Sequence, residues 1–64
     1  MNLTKREREV CALMADGLNN REIGEAIGLS PRTVEIHRGT AIKKLGAKNG
    51  THAAVLFDRS NRNG

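Results

Sequence analysis

The chain has 64 residues, one Cys, one Phe and no Trp or Tyr, and its 11 Lys+Arg against 7 Asp+Glu give a net charge of +4. That length makes one small domain near the lower limit for folding unaided, the lone cysteine excludes an intramolecular disulfide, and no Cys/His cluster has metal-ligand spacing. The apolar runs are too short for a signal peptide or a membrane span, which suits a reducing, cytoplasmic setting, and a sequence pI of about 10.0 with almost no aromatic side chains for stacking single strands points to duplex DNA as the polyanionic partner.

The first helix is predicted over about 4–16. Thr4 is its N-cap, and Glu7 three residues later completes a capping box. Leu3, Val10 and Met14 share one face, with Cys11, Leu13 and Leu18 at its edges. Cys11 reads there as a small buried hydrophobe rather than a reactive thiol. Glu7 falls inside the apolar stripe, so its carboxylate needs a partner. Arg38 and Lys44, both near the apolar side of the third helix, are the two candidates. Gly17 ends the helix.

Asn19 opens a second helix, predicted over 20–27, again with a glutamate, Glu22, closing the box. Ile23, Ala26 and Ile27 form its expected buried face, and Gly28 stops it. Only Gly28, Leu29 and Ser30 precede the next helix, which is helix-turn-helix spacing. Gly24 implies a close crossing, where a side chain larger than Ala holds the helices apart. Leu29 and Val34 fill the angle between them.

The third helix is predicted over 31–45. Ser30 caps it, Pro31 takes the first position and Gly46 supplies the left-handed stop. Val34, Ala41 and Leu45 form one stripe. Opposite lie Arg32, Ile36, Gly39 and Lys43, flanked by Glu35 and Thr40. Such a face fits a DNA major groove, with Ile against a thymine methyl and Gly for close approach. Taken alone, it also fits a solvated helix with one stray isoleucine. After a short polar loop, Asn49 or Thr51 caps a fourth helix over about 51–59. Its core face is Ala53, Ala54, Leu56 and Phe57, while His52, Val55 and Arg59 point away as candidate dimer contacts. Residues 60–64 are polar and expected to be a disordered tail. There is no internal repeat or linker, so 1–64 reads as a single domain of the all-α class.

The runs LTKREREV, ADGLNNREIGEAIGLS and PRTVEIHRGTAIKKLGAKN, followed by Thr51 and Ala53, together resemble a LuxR-type (GerE-like) helix-turn-helix domain. Such domains are the output units of NarL/FixJ response regulators and of quorum-sensing regulators. The resemblance covers Leu3 to about Phe57. It implies a four-helix LuxR/GerE-type helix-turn-helix domain that binds double-stranded DNA, regulates transcription and pairs through the fourth helix; since Val55 alone is a small patch, the homodimer is expected to be weak without DNA. RNA polymerase is a further expected partner, and no cofactor or membrane is implied. Base contacts are implied at Glu35, Ile36 and Gly39, with Arg32 beside them. Phosphate contacts are implied at Asn20, Arg21, Thr33 and Lys43, with His37 and Arg38 joining them.

Four positions depart from the family pattern. Gly24 stands where Ala is usual, a conservative exchange, and Gly39 removes a side chain from a position that often reads bases. Glu35 offers an acceptor where cations are common, which favours a cytosine amino group. Gly50 stands where Arg is frequent. His37, at the edge of the buried stripe, is expected to be a satisfied core or phosphate-bonded side chain. No nucleophile or paired carboxylate accompanies it, so no enzyme is implied. A region-4-like sigma fragment is disfavoured by the helix after Gly46. A protein-interaction adaptor that pairs with a larger regulator is the alternative of another class. The start at Met1, two residues before Leu3, suits a stand-alone regulator and an excised output domain equally.

Overall fold

The computed structural model describes residues 2–62. Four helices follow one another: α1 Lys5–Ala15, α2 Asn20–Ile27, α3 Pro31–Leu45 and α4 Gly50–Arg62. Local chemistry sets most of their ends. Thr4 Oγ1 accepts from the Glu7 N–H at 3.1 Å while Glu7 Oε1 accepts from the Thr4 N–H at 2.8 Å. Asn19 and Glu22 repeat this exchange, both bonds at 2.9 Å. Ser30 Oγ accepts from the Thr33 N–H at 3.2 Å. Gly28 and Gly46 close α2 and α3 in the left-handed conformation, with φ of 73° and 66°, where a Cβ would crowd the carbonyl.

The helices pack as two joined hydrophobic clusters. In one, Val10, Ile23 and Val34 are fully buried and lock α1, α2 and the first half of α3 together, with Leu29 in the turn between. In the other, Leu3, Cys11, Ala41 and Phe57 bring α4 onto α1 and the second half of α3. Met14 touches both. Burial, and after it the charge of Glu7, pushes the Cys11 thiol above its ordinary value, which keeps it protonated and inert.

Glu7 is 4% exposed and takes Lys44 as its partner, Nζ donating to Oε1 at 2.8 Å. The same ammonium donates to the Asn2 carbonyl at 3.0 Å. Lys44 first, then the Thr4 N–H, hold the Glu7 carboxyl below its usual value, against burial, which pushes it up. Arg38, the other candidate, lies over Gly50 instead.

Three details of α2 and α4 differ from expectation. Ala26 is exposed, and Gly24 is buried in its place. The stripe of α2 is turned toward α3, so Ile23, Gly24 and Ile27 face the core. The crossing at Gly24 is also tighter than expected. A Cβ there would overlap the Leu29 carbonyl oxygen and lie 3.4 Å from its carbon, so even Ala forces a backbone shift and the exchange is not conservative in this chain. Finally, α4 begins at Gly50, its Asn49 Oδ1 accepting from the His52 N–H at 2.8 Å. It continues through Arg62, so residues 60–62 of the expected tail are helical. Nothing between Arg59 and Arg62 breaks a helix already begun, since Ser and Asn lower propensity by only tenths of a kcal/mol each. The last two residues of that expected tail lie outside the described residues.

Candidate nucleic-acid interface

Burial of Val34 and Ala41 fixes the rotation of α3 about its axis, so the opposite side faces outward. Arg32, Glu35, Ile36, Gly39 and Lys43 are all exposed there. They run along about 16 Å of helix, at 1.5 Å per residue. Ile36 is 59% exposed, the largest exposure of any bulky apolar side chain among the described residues. Arg32, Glu35 and Lys43 make no hydrogen bond or ion pair among those residues. The face therefore presents two free cations, one free acceptor and an apolar centre.

The expected phosphate-contacting residues are more scattered. Arg21 sits at the start of α2 in a 3.5 Å pair with Glu25, both side chains more than two-thirds exposed, a pair of little net strength that polyanion binding readily displaces. Asn20 is half-buried on the packed side of the same helix. Thr33 is half-buried beside Ser30, their hydroxyls 2.9 Å apart. His37 is half-buried. Arg38 turns away from the outer face toward α4, and its Nε is buried without a partner among the described residues. The structure thus gathers Arg32, Glu35, Ile36, Gly39 and Lys43 on one face and sets Arg38 apart from them.

Arg6 was not singled out from the sequence. Its Nη1 donates to the Ile27 carbonyl at 3.2 Å and pairs with Glu9 at 3.1 Å. It thereby holds the C-terminal end of α2, just before the turn, against α1. Its spacing from Glu9 is a local pattern, but nothing local marks the contact with the Ile27 carbonyl, a backbone atom on another helix.

On α4, Val55 is 44% exposed. It borders an open groove of about 300 Å³ lined by Ala15, Asp16, Ala54 and Asp58 as well. Arg59 is exposed. His52 is half-buried, its Nδ1 accepting from the Lys48 N–H at 3.0 Å, so it also fixes the loop before α4. Among the described residues no helix is long and apolar enough to cross a membrane, and no three His, Cys, Asp or Glu side chains are grouped to hold a metal.

Comparison with known proteins gives this arrangement a context. The pattern of the GerE family, described as bacterial regulatory proteins of the luxR family, matches residues 1–57. The chain is 46% identical over 57 residues to the transcriptional regulatory protein UhpA of Escherichia coli, covering 88% of this chain and 29% of that protein. It is 50% identical over 57 residues to the transcriptional activator protein BjaR1 of Bradyrhizobium diazoefficiens, covering 89% of this chain and 24% of the relative. The chain therefore spans less than a third of the length of these relatives. Among solved structures, the transcription factor GerE superposes with a TM-score of 0.84 at 30% identity, covering 92% of this chain and 88% of that one.

Proposed function

This chain belongs to the luxR family of bacterial regulatory proteins, a DNA-binding and non-enzymatic family, and from that membership we propose that it binds duplex DNA sequence-specifically by inserting α3 in the major groove. The observation that carries the reading is the outward face of α3. An isoleucine 59% exposed between unpaired Arg32 and Lys43 adds little to the packing of the monomer, whereas a groove wall offers phosphates to the cations and base edges to the centre. Arg32 and Lys43 approach phosphates or the groove rim, and Arg21 joins them by leaving Glu25. Glu35, an acceptor only, is matched to a cytosine amino group. Asn20 at the start of α2 and Thr33 in the first turn of α3 contribute at the rim. His37 and Arg38 lie further from the outer face and contribute through the position of α3 more than by contact.

Two copies pair through α4 on an inverted repeat, with Val55, His52 and Arg59 near the two-fold axis. The exposed area around one Val is small, so free pairing is weak and becomes effective when neighbouring half-sites hold the two copies together. As a regulator of transcription, the chain has RNA polymerase as a further proposed partner.

The test is binding of duplexes selected from a random library, measured across a salt series. Lys43→Ala should weaken all duplexes alike and reduce the salt slope by about one unit. If affinity for random DNA stays unchanged, α3 does not present this face to the phosphates.

A further inference from the structure

We propose that Gly39 sets base specificity through the side chain it lacks, forming with Ile36 a notch that takes the C5-methyl of a thymine. The proposal rests on the DNA-binding reading above. Among the described glycines, Gly17, Gly28 and Gly46 have φ of +92°, +73° and +66°, which an L side chain resists. Gly24 and Gly50 are crowded, by the Leu29 backbone and the Arg38 guanidinium. Gly39 has neither reason. It lies inside α3 with ordinary helical φ, and a Cβ built there meets nothing within 4 Å. A glycine in a helix interior is the weaker choice against Ala, and the monomer gains no space from this one. What requires the bare backbone therefore lies outside the chain.

The surroundings specify the visitor. Ile36, one turn earlier, forms an aliphatic wall and is 59% exposed. The Thr40 hydroxyl beside it donates back to the Ile36 carbonyl at 3.1 Å and is thus engaged within the helix, while Glu35, one turn before Gly39, borders the notch on the same exposed face. Arg32 and Lys43 stand at its two ends with no ion partner among the described residues, which suits a visitor borne by a polyanion. In the major groove of unmodified DNA, the apolar projection of a base edge is the thymine methyl. With an Ala side chain at 39 the helix would stand off the base edge and the methyl would lose its seat.

The experiment replaces each thymine of the selected site by deoxyuridine, which deletes only the methyl. Wild type should lose about four-fold in affinity at one thymine, the value of one buried methyl group. Gly39→Ala should melt roughly 4–8 °C higher than wild type, bind the thymine site less tightly, and lose its preference for thymine over uracil at that position. Lys43→Ala serves as the control for DNA binding itself, since it should keep the thymine preference while weakening every duplex. A wild type indifferent to uracil at every thymine overturns the notch, and so does a Gly39→Ala variant that keeps the wild-type preference or melts below wild type. In each of those cases a loss with Lys43→Ala leaves the DNA-binding reading standing. A wild type that binds no duplex overturns both.

Discussion

Replacing Glu7 with Gln tests how the packing of α1 on α3 is held. Glutamine keeps the shape and an oxygen that accepts from the Thr4 N–H, so the cap of α1 survives. It loses the charge facing Lys44 at 2.8 Å. A hydrogen bond to a charged group is worth about 1.5–3 kcal/mol. The Lys44 side chain is 34% exposed, so after the exchange it relaxes toward water and still donates weakly to the amide. The loss is therefore about 1–2 kcal/mol rather than the larger penalty of stranding a fully buried charge. For a domain this small that corresponds to roughly 5–15 °C in melting temperature at neutral pH. The sign with pH follows from the lowered carboxyl of Glu7. Its contribution is complete above the ordinary value of 4.5, where the unfolded chain is also ionised. It disappears as pH falls through the lower folded value, when the native carboxylate takes up a proton. Thermal unfolding followed by circular dichroism should thus show the two proteins well separated at pH 7 and converging as the pH falls from 4.5 through the lowered folded value. A constant gap down to pH 2, or none at pH 7, would refute the ion pair as the source of this stability.

Two further substitutions probe the crossing and the pairing face. Gly24→Leu should drive a side chain into the Leu29 carbonyl and lower stability by about 1–3 kcal/mol or more, enough to unfold much of a marginal domain; a variant with wild-type melting would show that α2 and α3 do not meet there. Val55→Asp should reduce cooperative occupation of an inverted repeat whose half-sites are about one helical turn apart, with a smaller effect on a single half-site; equal losses on both duplexes would remove α4 as the pairing element.

The starts of α1, α2 and α3 were legible because capping is a local exchange between residues three apart. Thr4 with Glu7, Asn19 with Glu22, and Ser30 before Pro31 each announce themselves without tertiary context. The outer face of α3 was legible for a related reason, since Val34 and Ala41 fix the rotation. Contacts between helices were harder. Arg38 and Lys44 were equally plausible partners for Glu7, and the choice depended on Gly50, whose missing side chain leaves a place for the Arg38 guanidinium under α4. Ala26 was misplaced because a short helix with Ile23 and Ile27 can be rotated slightly either way. The close approach of the Leu29 carbonyl to Gly24 decides that rotation. The end of α4 escaped notice because Ser60 and Asn61 neither stop nor strongly favour a helix.

The two clusters of the core share one side chain, and it is a methionine. The α2–α3 pair is wedged by Val10, Ile23 and Val34, β-branched side chains with essentially one rotamer each in a helix. Met14 has three rotatable bonds and a polarizable sulfur that tolerates altered neighbours. Compliance is therefore unevenly distributed. The helix-turn-helix half resists shear as a stiff block, whereas the seam toward α4 yields by rotamer changes in Met14 before any stiff contact is strained.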